Sequence, residues 1–252
     1  MNKKFNFIFK IKKIYKIILY FLLFVVIIFF SYFSIPIFFN YSPQLIEKSF
    51  KINNDIIIEN ISKISYRIFP TPRLRVSGSN FSLKENALEV NESEIEIILN
   101  PINILNYKTL DYNKLIIKNG STKINIYKTN KLLNYFKKNK LKIFLKENNL
   151  VFVKNKKNLL KINNSTIEVS NDNNIGKLSV NGIFLNHKIT FLLNNQLRDG
   201  SNIIIKIPEL GILSNIFLEN KNNSNSFNGL INFEVLNNFF QFNFTKEKNI
   251  KI

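Results

Sequence analysis

Residues able to do acid–base, nucleophilic or metal chemistry are scarce in this sequence. It has no cysteine and a single histidine, His187, set in Asn186-His187-Lys188 beside a turn signal. A thiolate nucleophile, a disulfide framework and a Cys-based zinc site are therefore excluded. A zinc site with one imidazole would need carboxylates for its remaining ligands, an atypical set. The densest acidic run is Glu89, Glu92, Glu94 and Glu96. Paired carboxylates can act as general acid and base. Here, however, Glu92, Glu94 and Glu96 share one strand face by parity, which reads as a solvated edge. No G-x-S-x-G elbow, Walker-type loop or G-x-G-x-x-G fingerprint occurs. The chain reads as a non-enzyme with no catalytic residue, no metal ligand and no cofactor site.

The charge balance is strongly basic, +19 from 36 Lys and Arg against 17 Asp and Glu. Such a chain attracts anionic lipid or nucleic acid. Lys, Asn and Ile are spread throughout, without a concentrated basic stripe, as in a compositional drift. Lys3, Lys4, Lys10, Lys12, Lys13 and Lys16 nevertheless all precede a long apolar run. No residue from Ile17 to Phe33 is charged, and the apolar character resumes past Ser34 and Pro36 to Phe39. About 23 residues at ~1.5 Å each cover the ~30 Å hydrocarbon layer. In lipid the backbone must satisfy its own hydrogen bonds, so this segment is expected to be a helix. Tyr15 and Tyr20 at one end, and Tyr32 and Tyr41 at the other, suit interfacial belts. The exit, Ser31 to Pro36, lacks the small-residue site of a cleaved signal peptide. Lysines before the span place the N-terminus in the cytoplasm. The expected organisation is a basic cytoplasmic tail (1–16), a transmembrane helix (17–39) and a domain beyond the membrane (40–252). On that side no nucleic-acid partner is expected.

Beyond the span, Ser42-Pro43-Gln44-Leu45-Ile46-Glu47 opens a short helix with a serine cap and proline in its first turn. Alternating apolar residues then run from Ile56 to the end, the period of strands with one buried face. Turn signals separate them at 77–80, 118–121, 171–174 and 199–202, with Asn119-Gly120 the strongest hairpin signal. Short helices are expected at Pro101–Asn106, Asn130–Lys138 and Glu209–Leu218. The fold class is mainly β with a single N-terminal transmembrane helix. What covers the apolar faces (a second sheet, a helix or the sheet's own curl) is left open by the pattern.

Several ordered segments carry a resemblance. After the span and Gln44-Leu45-Ile46-Glu47 come Ile64-Ser65-Tyr66-Arg67-Ile68-Phe69-Pro70-Thr71-Pro72-Arg73-Leu74, then Glu94 to Leu105 with its short Asn100-Pro101-Ile102-Asn103-Ile104-Leu105 helix, then Leu115-Ile116-Ile117-Lys118-Asn119-Gly120. Together they resemble the N-terminal part of the AsmA family of bacterial envelope proteins, related to bridge-like lipid transfer proteins. The resemblance implies an inner-membrane anchor and a periplasmic domain. Its sheet would be a curved antiparallel groove with a few short helices, working in envelope lipid homeostasis or outer-membrane assembly. Phospholipid or another envelope lipid would be the partner, with envelope proteins as further partners. The candidate lipid-facing residues are Leu74, Val76, Ile95, Ile97, Leu99, Leu115, Ile117, Ile203, Ile205, Phe240, Phe242 and Phe244. Arg67, Arg73 and Arg75 are candidate head-group contacts. The competing expectation is a closed β core in a non-enzymatic scaffold or assembly factor.

Overall fold

The computed structural model describes residues 2–155, 157–172, 175–196, 200–219 and 226–247. The apolar run lies in α1 (Asn2–Ser34), which includes the backbone of the basic tail and passes into a 3-10 turn at Ile35–Phe38. Its segment Tyr15–Phe38 is long and apolar enough to cross a membrane, and nearly all of it is uncovered by protein. Next comes α2 (Pro43–Asn54), capped by Ser42, whose Oγ accepts from the Leu45 N–H at 3.2 Å. Ser49 and Phe50, three and four residues after Ile46, share its helix face, and all three are buried.

The remaining strands form one curved sheet. They are β1 (Ile56–Glu59), β2 (Lys63–Arg67), β3 (Arg73–Leu83), β4 (Leu88–Leu99), β5 (Tyr112–Lys118), β6 (Ser121–Asn125), β7 (Lys142–Lys154), β8 (Lys157–Asp172), β9 (Ile175–Phe184), β10 (His187–Gln196), β11 (Gly200–Ile207), β12 (Ile212–Glu219), β13 (Ser226–Val235) and β14 (Asn238–Glu247). The order is β1-β3-β4-β5-β7 and then β8 to β14 in sequence; β2 pairs with β3, and β6 with β4 and β7. The mainly β class with one apolar N-terminal helix and few others holds. The turns expected at 171–174 and 199–202 fall partly outside the described residues.

Three expectations need correction. First, the sheet is mixed rather than wholly antiparallel, because α3 (Thr129–Lys138) is a crossover that returns the chain to run β7 parallel to β5 and β6. Second, Asn119-Gly120 is no hairpin. Strands β5 and β6 lie end to end along the same neighbours, β4 and β7, with Asn119 at φ 55° marking the break. Third, the helix expected at Glu209–Leu218 is only a turn at Pro208–Leu210. Gly211 at φ 58° ends it, and Ile212–Glu219 alternates as β12 between β11 and β13.

A crease crosses the sheet where its strands break. Gly78, Glu92, Asn119, Glu147 and Asn164, one on each of five strand lines, have positive φ, and the register slips beside four of these breaks. Each such irregularity bends its strand and adds twist, so their alignment curls the sheet. Buried polar side chains satisfy the disrupted ladder. Ser79 and Ser93 exchange hydroxyl-to-carbonyl bonds (3.4 and 3.0 Å). Asn148 Oδ1 accepts from the Gly120 N–H (3.1 Å) and from Thr122 Oγ1 (3.2 Å), and Ser165 Oγ donates to the Asn148 carbonyl at 2.8 Å. Gly120 must lack a side chain, since a Cβ there would sit 2.8 Å from Asn148 Oδ1 and 2.5 Å from Val90 Cγ1.

Inside the curl lie α2 and α3. Leu132, Leu133, Tyr135 and Phe136 of α3 join Ile46 and Phe50 of α2 in one core with the strands. Phe50 stacks on Tyr112 (4.6 Å), Asn54 Nδ2 donates to the Tyr112 hydroxyl (2.7 Å), and Tyr135 Oη donates to the Asn54 carbonyl (2.5 Å). The two helices thus act as a plug whose far side reaches β8 and β9.

Candidate functional site

Residues opposite one another in a β pair share a face. The register therefore carries two side-chain rows across the sheet. One is Leu74–Ile97–Leu115–Ile143–Val169–Leu178–Leu193–Ile203–Ile216–Ile231–Phe242. The other is Val76–Ile95–Ile117–Leu145–Ile167–Val180–Phe191–Ile205–Ser214–Phe233–Phe240. Apart from Ser214 both are apolar, and they join ten of the candidate lipid-facing residues on one face.

Cover is not uniform along that face. Leu74, Val76, Ile95, Ile97, Leu99, Leu115 and Ile117 are buried in the core under the plug. This part of the expected groove is corrected: the Ile46/Phe50 and Leu132/Phe136 faces of α2 and α3 occupy the space a lipid chain would need. Beyond β9 the plug ends, although Ile189 and Leu193 of β10 and Ile207 of β11 stay buried. Ile203 and Ile205 are only partly buried, while Phe240 and Phe242 on β14 are 47 % and 55 % exposed. Phe244 is half-buried and lies over Gly229, where a Cβ would sit 2.2 Å from its ring. The open candidates are thus Ile203, Ile205, Phe240, Phe242 and Phe244, joined by Ile216, Ile231 and Phe233, which alternation did not single out. Ile216 fell within the helix expected at Glu209–Leu218, while Ile231 and Phe233 hold alternate positions of Ser226–Val235, where the same period-two signal was available.

No family model matches this chain, and neither does any curated protein or solved structure.

Of the candidate head-group arginines, two are engaged on the opposite face. Arg73 Nη1 lies 2.8 Å from Glu96 Oε2, Lys118 Nζ lies 2.9 Å from Glu96 Oε1, and Arg75 pairs with Glu94. These carboxylates are paired across strands rather than solvated, which corrects the reading of that strand face for Glu94 and Glu96. Arg67 is exposed at the end of β2. Burial alone would raise the Glu96 pKa, but hydrogen bonds from Lys118 and Arg73 outweigh it and hold the carboxyl below its ordinary 4.5. A depressed folded pKa contributes stability that is present above the unfolded value and lost as pH falls through the folded one. Glu96→Gln is therefore expected to lower the melting temperature at pH 7 and to flatten its decline below about pH 4.5. Parallel melting-temperature curves for the two chains across that range would refute the pairing's role.

His187 opens β10 and places Nδ1 2.8 Å from Glu209 Oε2 in an exposed pair. Among the described residues, no group of three or more His, Cys, Asp or Glu is placed to hold a metal ion.

Proposed function

We propose that this protein is a membrane-anchored lipid-handling protein in which α1 crosses the bilayer and the less covered face of β11–β14 carries acyl chains. One observation carries the reading: past the plug the two apolar rows continue, interrupted only at Ser214, and become accessible toward β14. Such a strip offers a non-directional surface, worth about 25 cal/mol per Å² of apolar area removed from water, and suits a chain that slides rather than locks. The AsmA-like order of motifs supports an inner-membrane anchor and a periplasmic domain, with a role in envelope lipid homeostasis or outer-membrane assembly. Lysines ahead of the span support a cytoplasmic N-terminus. We assign no catalytic role.

The test uses full-length protein in vesicles doped with a phospholipid bearing a photoactivatable acyl chain. Adducts are expected on peptides of β11–β14 as well as on α1. Two Phe side chains bury roughly 1.5–3 kcal/mol each, and 1.4 kcal/mol is a factor of ten. Phe240→Asp combined with Phe242→Asp is therefore expected to cut the sheet adducts about tenfold or more. Adducts confined to α1 would refute the reading and leave a scaffold whose exposed face takes a protein partner.

A further inference from the structure

The sheet domain is held against the end of α1 by specific contacts. Tyr32, in the helix's last turn, donates its hydroxyl to the carbonyls of Pro101 and Ile102, at 3.0 Å each. Tyr66 on β2 donates to the Phe33 carbonyl at 2.9 Å and stacks on Tyr41. Phe33 itself is buried in the domain core. The Phe69 ring, in the loop between β2 and β3, packs 6.1 Å from Phe30 of α1. These ties join the Phe69–Pro72 loop and the Pro101–Asn103 turn to the helix end.

The side chains at this junction are apolar and bare. Phe38, Phe69 and Ile102 are 87 %, 68 % and 83 % exposed, and Leu105 is exposed as well. Depth along the helix says what faces them. The apolar segment has 24 residues, Tyr15–Phe38, about 36 Å at ~1.5 Å per residue against a ~30 Å hydrocarbon layer. Phe30 lies eight residues before its end, roughly 12 Å inside the apolar segment. That distance exceeds the whole ~6 Å excess, so Phe30 sits in hydrocarbon wherever the span settles. Phe69 lies beside it.

We propose that Phe69 and Ile102, with Phe38, form an interfacial rim that seats the sheet domain directly in the surface of the bilayer crossed by α1. The domain does not swing on a tether. Arg67, two residues before Phe69, falls at head-group level, and the membrane-side ends of β3–β5 stand on the lipid surface. This rests on the reading that α1 spans a bilayer. It goes further by fixing how the domain meets the membrane.

The chain has no tryptophan, so single substitutions report without background. Full-length Phe69→Trp, Ile102→Trp, Phe24→Trp and Tyr127→Trp are placed in vesicles of phosphatidylcholine and phosphatidylglycerol with brominated acyl chains. Phe24 lies within the span, whereas Tyr127 is exposed just past β6, at the opposite strand ends from Phe69. Relative to unbrominated vesicles, emission from Phe24→Trp, Phe69→Trp and Ile102→Trp is expected to be roughly halved, and that from Tyr127→Trp unchanged. Quenching of Phe24→Trp alone overturns the rim and leaves the anchor standing. If Phe24→Trp is unquenched too, the spanning helix and the rim both fall. All four positions are exposed aromatic or aliphatic sites, and melting of each variant against the parent chain checks that it is folded.

Discussion

Phe136→Ala is expected to cost about 3–5 kcal/mol and to lower the melting temperature by roughly 6–20 °C, whereas Phe242→Asp should shift it by only a few degrees. Phe136 is fully buried at the centre of the plug, in edge-to-face contact with Tyr135 (5.1 Å), among strand residues that cannot close over the lost ring. Phe242 sits on the same sheet face, yet more than half of it is in contact with solvent. A charge at Phe242 therefore stays hydrated, and little packing is lost. The comparison measures where the plug stops. Thermal unfolding of the full chain in one detergent, followed by the strand signal in circular dichroism, reads both variants. If Phe242→Asp unfolded the chain as Phe136→Ala does, the face would be sealed throughout and the lipid-handling reading would fail with it.

That boundary was not legible in the sequence, for a physical reason. Alternation assigned face membership well: Leu74, Ile97 and Leu115 near the start and Ile203 and Phe242 near the end lie on one row. It carries no information about what stands over the face. Cover comes from α3, whose helix was expected from Asn130–Lys138 but whose docking against β8 and β9 depends on the parallel crossover, a non-local arrangement. Asn119-Gly120 misled in a related way. An Asn-Gly pair between two apolar runs serves a two-residue hairpin or a strand break equally well. The neighbour decides, through bonds from the Asn119 N–H to the Lys146 carbonyl (3.3 Å) and from the Asn149 N–H to the Gly120 carbonyl (3.2 Å). The crease itself did leave a trace. Buried positions change parity between Val76 and Phe81, Val90 and Ile95, Ile117 and Ile124, Leu145 and Leu150, and Ile162 and Ile167. A strand that keeps its apolar residues on one face while changing parity must contain an odd extra residue. Five such slips in neighbouring strands spell out an aligned row of bulges.

Asn148→Leu is expected to be as damaging as loss of the plug ring, about 3–5 kcal/mol, although leucine has the same branching and number of side-chain heavy atoms as asparagine. Asn148 is fully buried in the crease. Its Oδ1 serves the Gly120 N–H and the Thr122 hydroxyl, and its Nδ2 donates to the Lys146 carbonyl at 2.7 Å and the Ile117 carbonyl at 3.4 Å. Leucine strands these groups in an apolar interior, where each unsatisfied one costs about 1–3 kcal/mol, less than additively. The hydroxyl's share can be isolated. Thr122→Val in the Asn148→Leu background removes an orphaned donor and is expected to recover about 1 kcal/mol, whereas Thr122→Val alone destabilises. The Gly120 N–H remains orphaned, because proline, the one residue without it, would clash with Val90, so recovery stays partial. Denaturant unfolding of the four chains closes the cycle. If Asn148→Leu were as stable as the parent, the polar side chains of the crease would be incidental. The curl of the sheet around its plug would then need another cause.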